Sequence, residues 1–140
     1  MNRIGFNAQT ASFAALVLRV GIGVLMLVHG LPKLQMLFSE DISFPGVMGM
    51  SPTISLALAV FSEVICSVLL IFGLFTRLAA IPLIITMIMA VFVFHANDPF
   101  AQQELGMLYL MAYLVVFLLG SGKFSFDAVL EERLKRVEAE

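Results

Sequence analysis

Six ionisable side chains stand in stretches of this sequence that are otherwise apolar. Arg19, His29 and Lys33 fall in one run, FAALVLRVGIGVLMLVHGLPK, residues 13–33. Glu63 interrupts a second apolar run, and His95 and Glu104 stand at the ends of two more. If the first run is a helix, Gly30 lies about 20°, Lys33 about 40° and His29 about 80° around its axis from Arg19. The three basic groups then share one face. An ionisable group turned toward hydrocarbon costs at least ~2.5 kcal/mol, so that face must meet other helices, some of them carrying acids. Glu63 and Glu104 are the candidates. Ammonium and imidazole groups can donate to a carbonyl oxygen, and a carboxyl or imidazole can exchange a proton with it.

Helical rise sorts these groups by depth. His29 and His95 each lie about 24–26 Å from the start of their helices, at 1.5 Å per residue. Lys33, Asp98 and Glu104 fall at the same level. Glu63 is expected near mid-membrane, within reach of the long Arg19 side chain. The reading is therefore two polar layers. One is a structural Arg19–Glu63 ion pair, helped by Ser62 and Cys66. The other is a binding cluster of His29, Lys33, His95 and Glu104, with Asp98 and Gln103 at its edge.

The elements that must position these groups are membrane spans. The chain has 140 residues, 61% hydrophobic and 13% charged, whereas soluble domains are about half apolar and a quarter charged. Its length fits a single domain, residues 1–140. Four spans are expected over residues 13–33, 53–75, 78–95 and 104–119, each about as long as a hydrocarbon core requires or slightly shorter. Ser51-Pro52-Thr53 and Gly73 bracket the second span. Ser55, Ala59, Ser62 and Cys66 form a small, weakly polar stripe along it, suited to close packing. Phe38, Phe44, Val47, Met48 and Met50 make the 34–53 connection too apolar for a solvated loop, so it should lie at the interface or fold back over the bundle. Residues 124–140 carry the apolar spacing of an amphipathic surface helix. The fold class is thus an all-α membrane protein, a four-helix transmembrane bundle with an interfacial tail.

Basic residues set the orientation. Arg3, Arg77, Lys123, Arg133, Lys135 and Arg136 fall on one side and Lys33 alone on the other. That bias predicts a multi-pass inner (plasma) membrane protein with both termini cytoplasmic. The first apolar run is long enough to span and lacks an AxA-type cleavage context, so it is expected to remain in the membrane. No lipidation motif appears.

Other chemistries find no support. The net charge of −2 and the absence of a basic patch argue against nucleic acid. One cysteine, Cys66, permits no internal disulfide. No Cys/His cluster suggests a metal, and no glycine-rich phosphate loop suggests a nucleotide. His29 and His95 at equal depth permit a bis-histidine haem, which is disfavoured against a quinone.

Arg19, His29-Gly30-Leu31-Pro32-Lys33, Phe44-Pro45-Gly46, Glu63, Gly73-Leu74-Phe75-Thr76-Arg77, His95, Glu104 and Gly120-Ser121-Gly122-Lys123-Phe124-Ser125-Phe126-Asp127 form an ordered set along nearly the whole chain. In that set the sequence resembles the DoxX family of small four-helix membrane proteins. The resemblance implies an inner-membrane bundle and a redox connection, since relatives include subunits linked to thiosulfate:quinone oxidoreduction.

The expected function is a quinone-linked redox component. The bundle would admit an isoprenoid tail laterally, His29 or Lys33 would hold a quinone carbonyl, and Glu104 or His95 would exchange the proton. Nothing in the sequence supplies the electron, so a protein partner is implied. The rival readings are a non-enzymatic membrane subunit or assembly factor and a small-solute or proton pathway. The last would require a homo-oligomer, because four helices are few for a transporter.

Overall fold

The computed structural model describes residues 7–139. Arg3, counted in the charge bias, and Glu140, the end of the predicted tail, lie outside the described residues. All regular structure among the described residues is helical. Four helices are long and apolar enough to cross a membrane.

Helix α1 runs Ala8–Leu37, longer at both ends than the apolar run suggests. Asn7 caps it, its side chain accepting the Gln9 N–H at 3.0 Å. A side-chain cap starts the helix before the hydrocarbon does. Helix α2 runs Pro52–Phe72. Ser51 caps it and proline fills its first position, where a missing N–H costs nothing. Gly73 ends it in the left-handed region, φ 67°. The Gly73 and Leu74 amides return to the Leu70 and Leu69 carbonyls, both at 3.0 Å, which is the Schellman closure.

After that three-residue turn, α3 runs Thr76–Phe94 and α4 runs Phe100–Leu119. The fourth span thus starts four residues before Glu104. Helix α5 runs Phe126–Glu138, is capped by Ser125 and buries no residue. Helix α2 carries a π-helical turn at Phe61–Cys66 and α3 another at Ala90–Phe94. The backbone widens at both places, a departure often found at functional sites.

The spans pack up and down, α1 on α2, α2 on α3, α3 on α4 and α4 back on α1. The bundle therefore has a tail end, where α5 packs, and a loop end, where residues 38–51 lie. Its core joins Met26, Leu70, Leu83, Met87, Tyr113 and Val116. Large apolar side chains cover the outside, among them Val28, Leu58, Phe72, Ile85 and Leu118, as lipid contact demands. Helices α1 and α2 approach closely where α1 has glycine. A Cβ on Gly23 would lie 2.7 Å from Ile71, and one on Gly30 would lie 3.0 Å from the Glu63 carbonyl carbon. Small residues at such crossings replace the hydrophobic drive that lipid removes.

Candidate functional site

At the tail end Arg19 is 1% exposed. Its Nη1 donates to the Leu70 and Ile71 carbonyls, each at 3.1 Å, and its Nη2 donates to the Phe124 carbonyl. It thus adds a second donor to the Leu70 carbonyl, which the Gly73 amide already meets, and serves Ile71 and Phe124 carbonyls at the helix end. Asp127 completes the same knot from the start of α5. Its Oδ1 accepts the Phe75 N–H at 2.7 Å, and its Oδ2 accepts the Thr76 N–H at 3.0 Å and the Thr76 hydroxyl at 2.9 Å. The Asp127 amide donates to the Gly73 carbonyl at 2.9 Å. One acid caps the start of α3, one base caps the end of α2, and the tail is clasped between them.

The expected Arg19–Glu63 pair does not form. Lys33 is the partner of Glu63, with Nζ at 2.6 and 2.8 Å from the two carboxylate oxygens. The reason is register. Glu63 packs opposite Gly30, while Arg19 faces the end of α2 at Leu70 to Gly73. Glu63 and Arg19 are therefore separated by about ten residues of helix, roughly 15 Å of rise. The Glu63 side chain is 3% exposed and that of Lys33 30%. The ammonium has three N–H groups; the carboxylate takes two, and the third is left for a ligand.

Two cavities flank this pair. The larger, about 460 Å³, lies between α2 and α3 under the 38–51 loop. Phe44, Val47, Met50, Leu58, Ile85 and Met89 make it apolar, and Lys33, Glu63, Ser55, Thr86 and His95 supply its polar groups. Leu58 and Ile85 are also exposed on the outside of the bundle, so the cavity opens laterally. The loop does fold back over the bundle, tied by the Val47 N–H donating to Ser55 Oγ at 3.0 Å. Phe38 and Met48 are left outward, each more than 80% exposed. The smaller cavity, about 160 Å³, lies between α1, α3 and α4 and is lined by His29, Gln103 and Tyr109. Lys33, Glu63, Ala90 and His95 border both. They form a partition, and both π turns contribute to it.

His95 is held by Asp98, Nδ1 to Oδ2 at 2.6 Å. Gln103 fixes that corner by donating to the His95 carbonyl at 2.7 Å and the Asp98 carbonyl at 3.1 Å. With Nδ1 engaged, Nε2 is the ring nitrogen left for chemistry. His29 packs edge-on against Tyr109, centroids 5.7 Å apart. The structure therefore brings His29, Lys33 and His95 to one place. Glu104 is exposed and lines neither cavity, because the extra turn of α4 points it away. No group of three His, Cys, Asp or Glu side chains among the described residues is placed to hold a metal ion.

The family model described as DoxX matches residues 14–96, more than half of the chain. The chain belongs to the DoxX family. A relative in Bacillus subtilis (strain 168), named "Putative oxidoreductase CatD", is 33% identical over 120 residues, covering 85% of this chain and 88% of that protein. No solved structure matches. This is thus a multi-pass DoxX membrane protein with a distant relative named as an oxidoreductase.

The DoxX match contains Arg19, His29, Lys33, Glu63 and His95 and stops before Glu104, Tyr109 and Asp127. Sequence reasoning sets Asp98 only at the edge of the binding cluster and gives Tyr109 and Asp127 no task. Asp98 sits in a turn, its amide donating to the His95 carbonyl at 3.1 Å, yet its side chain holds the imidazole. Tyr109 could have been found from its position at five residues past Glu104, on the opposite side of α4. Asp127 carried a readable signal in Ser125-Phe126-Asp127, an acid in the first turn of a capped helix.

Proposed function

We propose that this DoxX protein is a quinone-linked redox component of the inner (plasma) membrane, with both termini in the cytoplasm and a protein partner that supplies electrons. One observation carries the reading. The larger cavity is apolar, opens laterally toward lipid, and ends at an ammonium with an uncommitted N–H. An isoprenoid-tailed ring needs an apolar entry from the bilayer and a donor for its carbonyl oxygen. Its volume is within the usual range for small-molecule sites, about 300–1,000 Å³, and the smaller cavity is below that range. The orientation rests on the basic residues gathered at the tail end.

A bound quinone supplies an acceptor for two electrons and two protons. Lys33 orients one carbonyl oxygen, and Glu63 holds Lys33 in place. His95, steadied by Asp98, passes one proton to that oxygen and recovers it from water at the loop end, and the second carbonyl oxygen takes its proton from water. The partner provides both electrons.

Protein purified in mild detergent tests this. Its visible spectrum is recorded, then a solvent extract is analysed for quinone and haem. About one quinone per chain and no Soret band are expected. A chain that carries no quinone and binds none when a short-tailed quinone is added overturns the reading. The non-enzymatic subunit then takes its place, favoured by the outward Phe38 and Met48. Its own check is a pull-down in mild detergent that depends on residues 34–53.

A further inference from the structure

A third cavity is separate from the two beside the Lys33–Glu63 pair. It has about 480 Å³ and lies at the tail end, where the start of α3, the end of α4 and the start of α5 meet. Arg77 and Lys123 stand on it together with Asp127 and Glu131. The two acids are already engaged. Asp127 caps α3, and Glu131 accepts from Lys135 at 2.5 Å. Neither Arg77 nor Lys123 has a carboxylate partner among the described residues. Among the described residues the Arg77 guanidinium has one hydrogen bond, to the Leu118 carbonyl at 3.3 Å, and the Lys123 side chain has none. Two cations with spare donors therefore face one concavity.

The wall between them is the Gly120-Ser121-Gly122 turn, with φ of 76° at Gly120 and 70° at Gly122. Those angles suit glycine and strain other residues. The Arg77 Nε lies about 3.4 Å from where a Gly120 Cβ would stand, so the guanidinium rests in ordinary contact with the turn. Beside the cations, Phe75, Leu78 and Leu118 are 57%, 66% and 73% exposed. Charge and exposed apolar surface meet at the very level where two spans end. A soluble anion has no use for that apolar rim, whereas a phospholipid has a phosphate for the cations and acyl chains for the rim. Basic pockets at span ends commonly take anionic headgroups.

We propose that this cavity binds the headgroup of an anionic phospholipid, its phosphate between Arg77 and Lys123 and its acyl chains along Phe75, Leu78 and Leu118. The site is independent of the quinone reading and stands or falls separately.

Native mass spectrometry of the delipidated full chain in neutral detergent tests it, with phosphatidylglycerol, phosphatidylcholine or inorganic phosphate added. Phosphatidylglycerol should bind in preference to phosphatidylcholine, and millimolar phosphate should not displace it. Arg77→Gln with Lys123→Gln should weaken phosphatidylglycerol about 30-fold, roughly fivefold for each cation near the surface. Arg133→Gln with Arg136→Gln removes the same charge from α5 at positions that do not line the cavity and should weaken it less. Should the first double variant not fold, Lys123→Gln alone, whose side chain is exposed and free of hydrogen bonds, carries the test at about fivefold. Equal loss in both double variants, no headgroup preference, or displacement by phosphate overturns the proposal.

Discussion

Each end of the bundle buries a charge, and the two ends use it differently. At the tail end Arg19 spends its guanidinium on three backbone carbonyls, and Asp127 spends its carboxylate on two backbone amides and a hydroxyl. The partners are main-chain groups that every sequence would expose at those helix ends. At the loop end Lys33 and Glu63 bind each other, and the pair borders two cavities. A charge consumed by backbone is structural. A charge paired with a side chain, keeping a spare donor beside an open cavity, has a donor to offer a ligand. The same side-chain types in one span thus do unlike work, decided by what faces them.

Removing Arg19 is the severest way to break this comparison. In Arg19→Met the Ile71 and Phe124 carbonyls lose their donor, while Leu70 keeps the Gly73 N–H. Hydrogen bonds to a charged group contribute about 1.5–3 kcal/mol each, so stranding two carbonyls should cost about 3–6 kcal/mol, with the tail released. Melting in detergent measures the first, and protease cleavage between Gly120 and Phe126 the second. No second substitution should rescue it, because carbonyls cannot be mutated away. A melting point within a few degrees of the parent would show that the clasp is dispensable.

The loop end should behave otherwise. Lys33→Met alone strands a carboxylate that is 3% exposed, at a cost of about 3–5 kcal/mol when breaking a buried pair, lessened here because Lys33 is partly exposed. Adding Glu63→Leu removes the stranded charge and should recover most of the stability, since apolar replacement of a whole buried pair is often neutral or better. Quinone binding should stay lost in the double variant. Stability regained without binding separates the ligand role from the structural one; binding regained would remove Lys33 from the site.

Much of this was legible in the sequence. Apolar run length placed all four spans, and Arg19 had to face inward because hydrocarbon rejects it, whereas His29 stays exposed. The apolar 34–53 segment announced that it would cover the bundle. The pairing was not legible, because it depends on the register between antiparallel helices. The close approach at Gly30 sets Glu63 there instead of nearer Arg19, and no residue spacing within either span displays that register. The π turns were equally hidden. They leave the residue pattern almost unchanged, yet both border the cavities. Glu104 was misjudged for a related reason: with α4 starting at Phe100, its side chain falls on the exposed face.

The smallest expected effect on stability gives the sharpest reading of the loop end. In His95→Leu the lost pair joins an imidazole 44% exposed to a carboxylate 39% exposed, and such pairs contribute about 1 kcal/mol or less. Melting should therefore hardly move. If Nε2 serves the ligand, binding of an added short-tailed quinone should weaken about fivefold, the equivalent of one hydrogen bond of about 1 kcal/mol. His29→Leu is the matched control, because His29 lines only the smaller cavity and contributes an edge contact to Tyr109. Binding weakened by His95→Leu and spared by His29→Leu places the ligand between α2 and α3. The opposite pattern moves it across the Lys33–Glu63 partition, into the space between α1, α3 and α4.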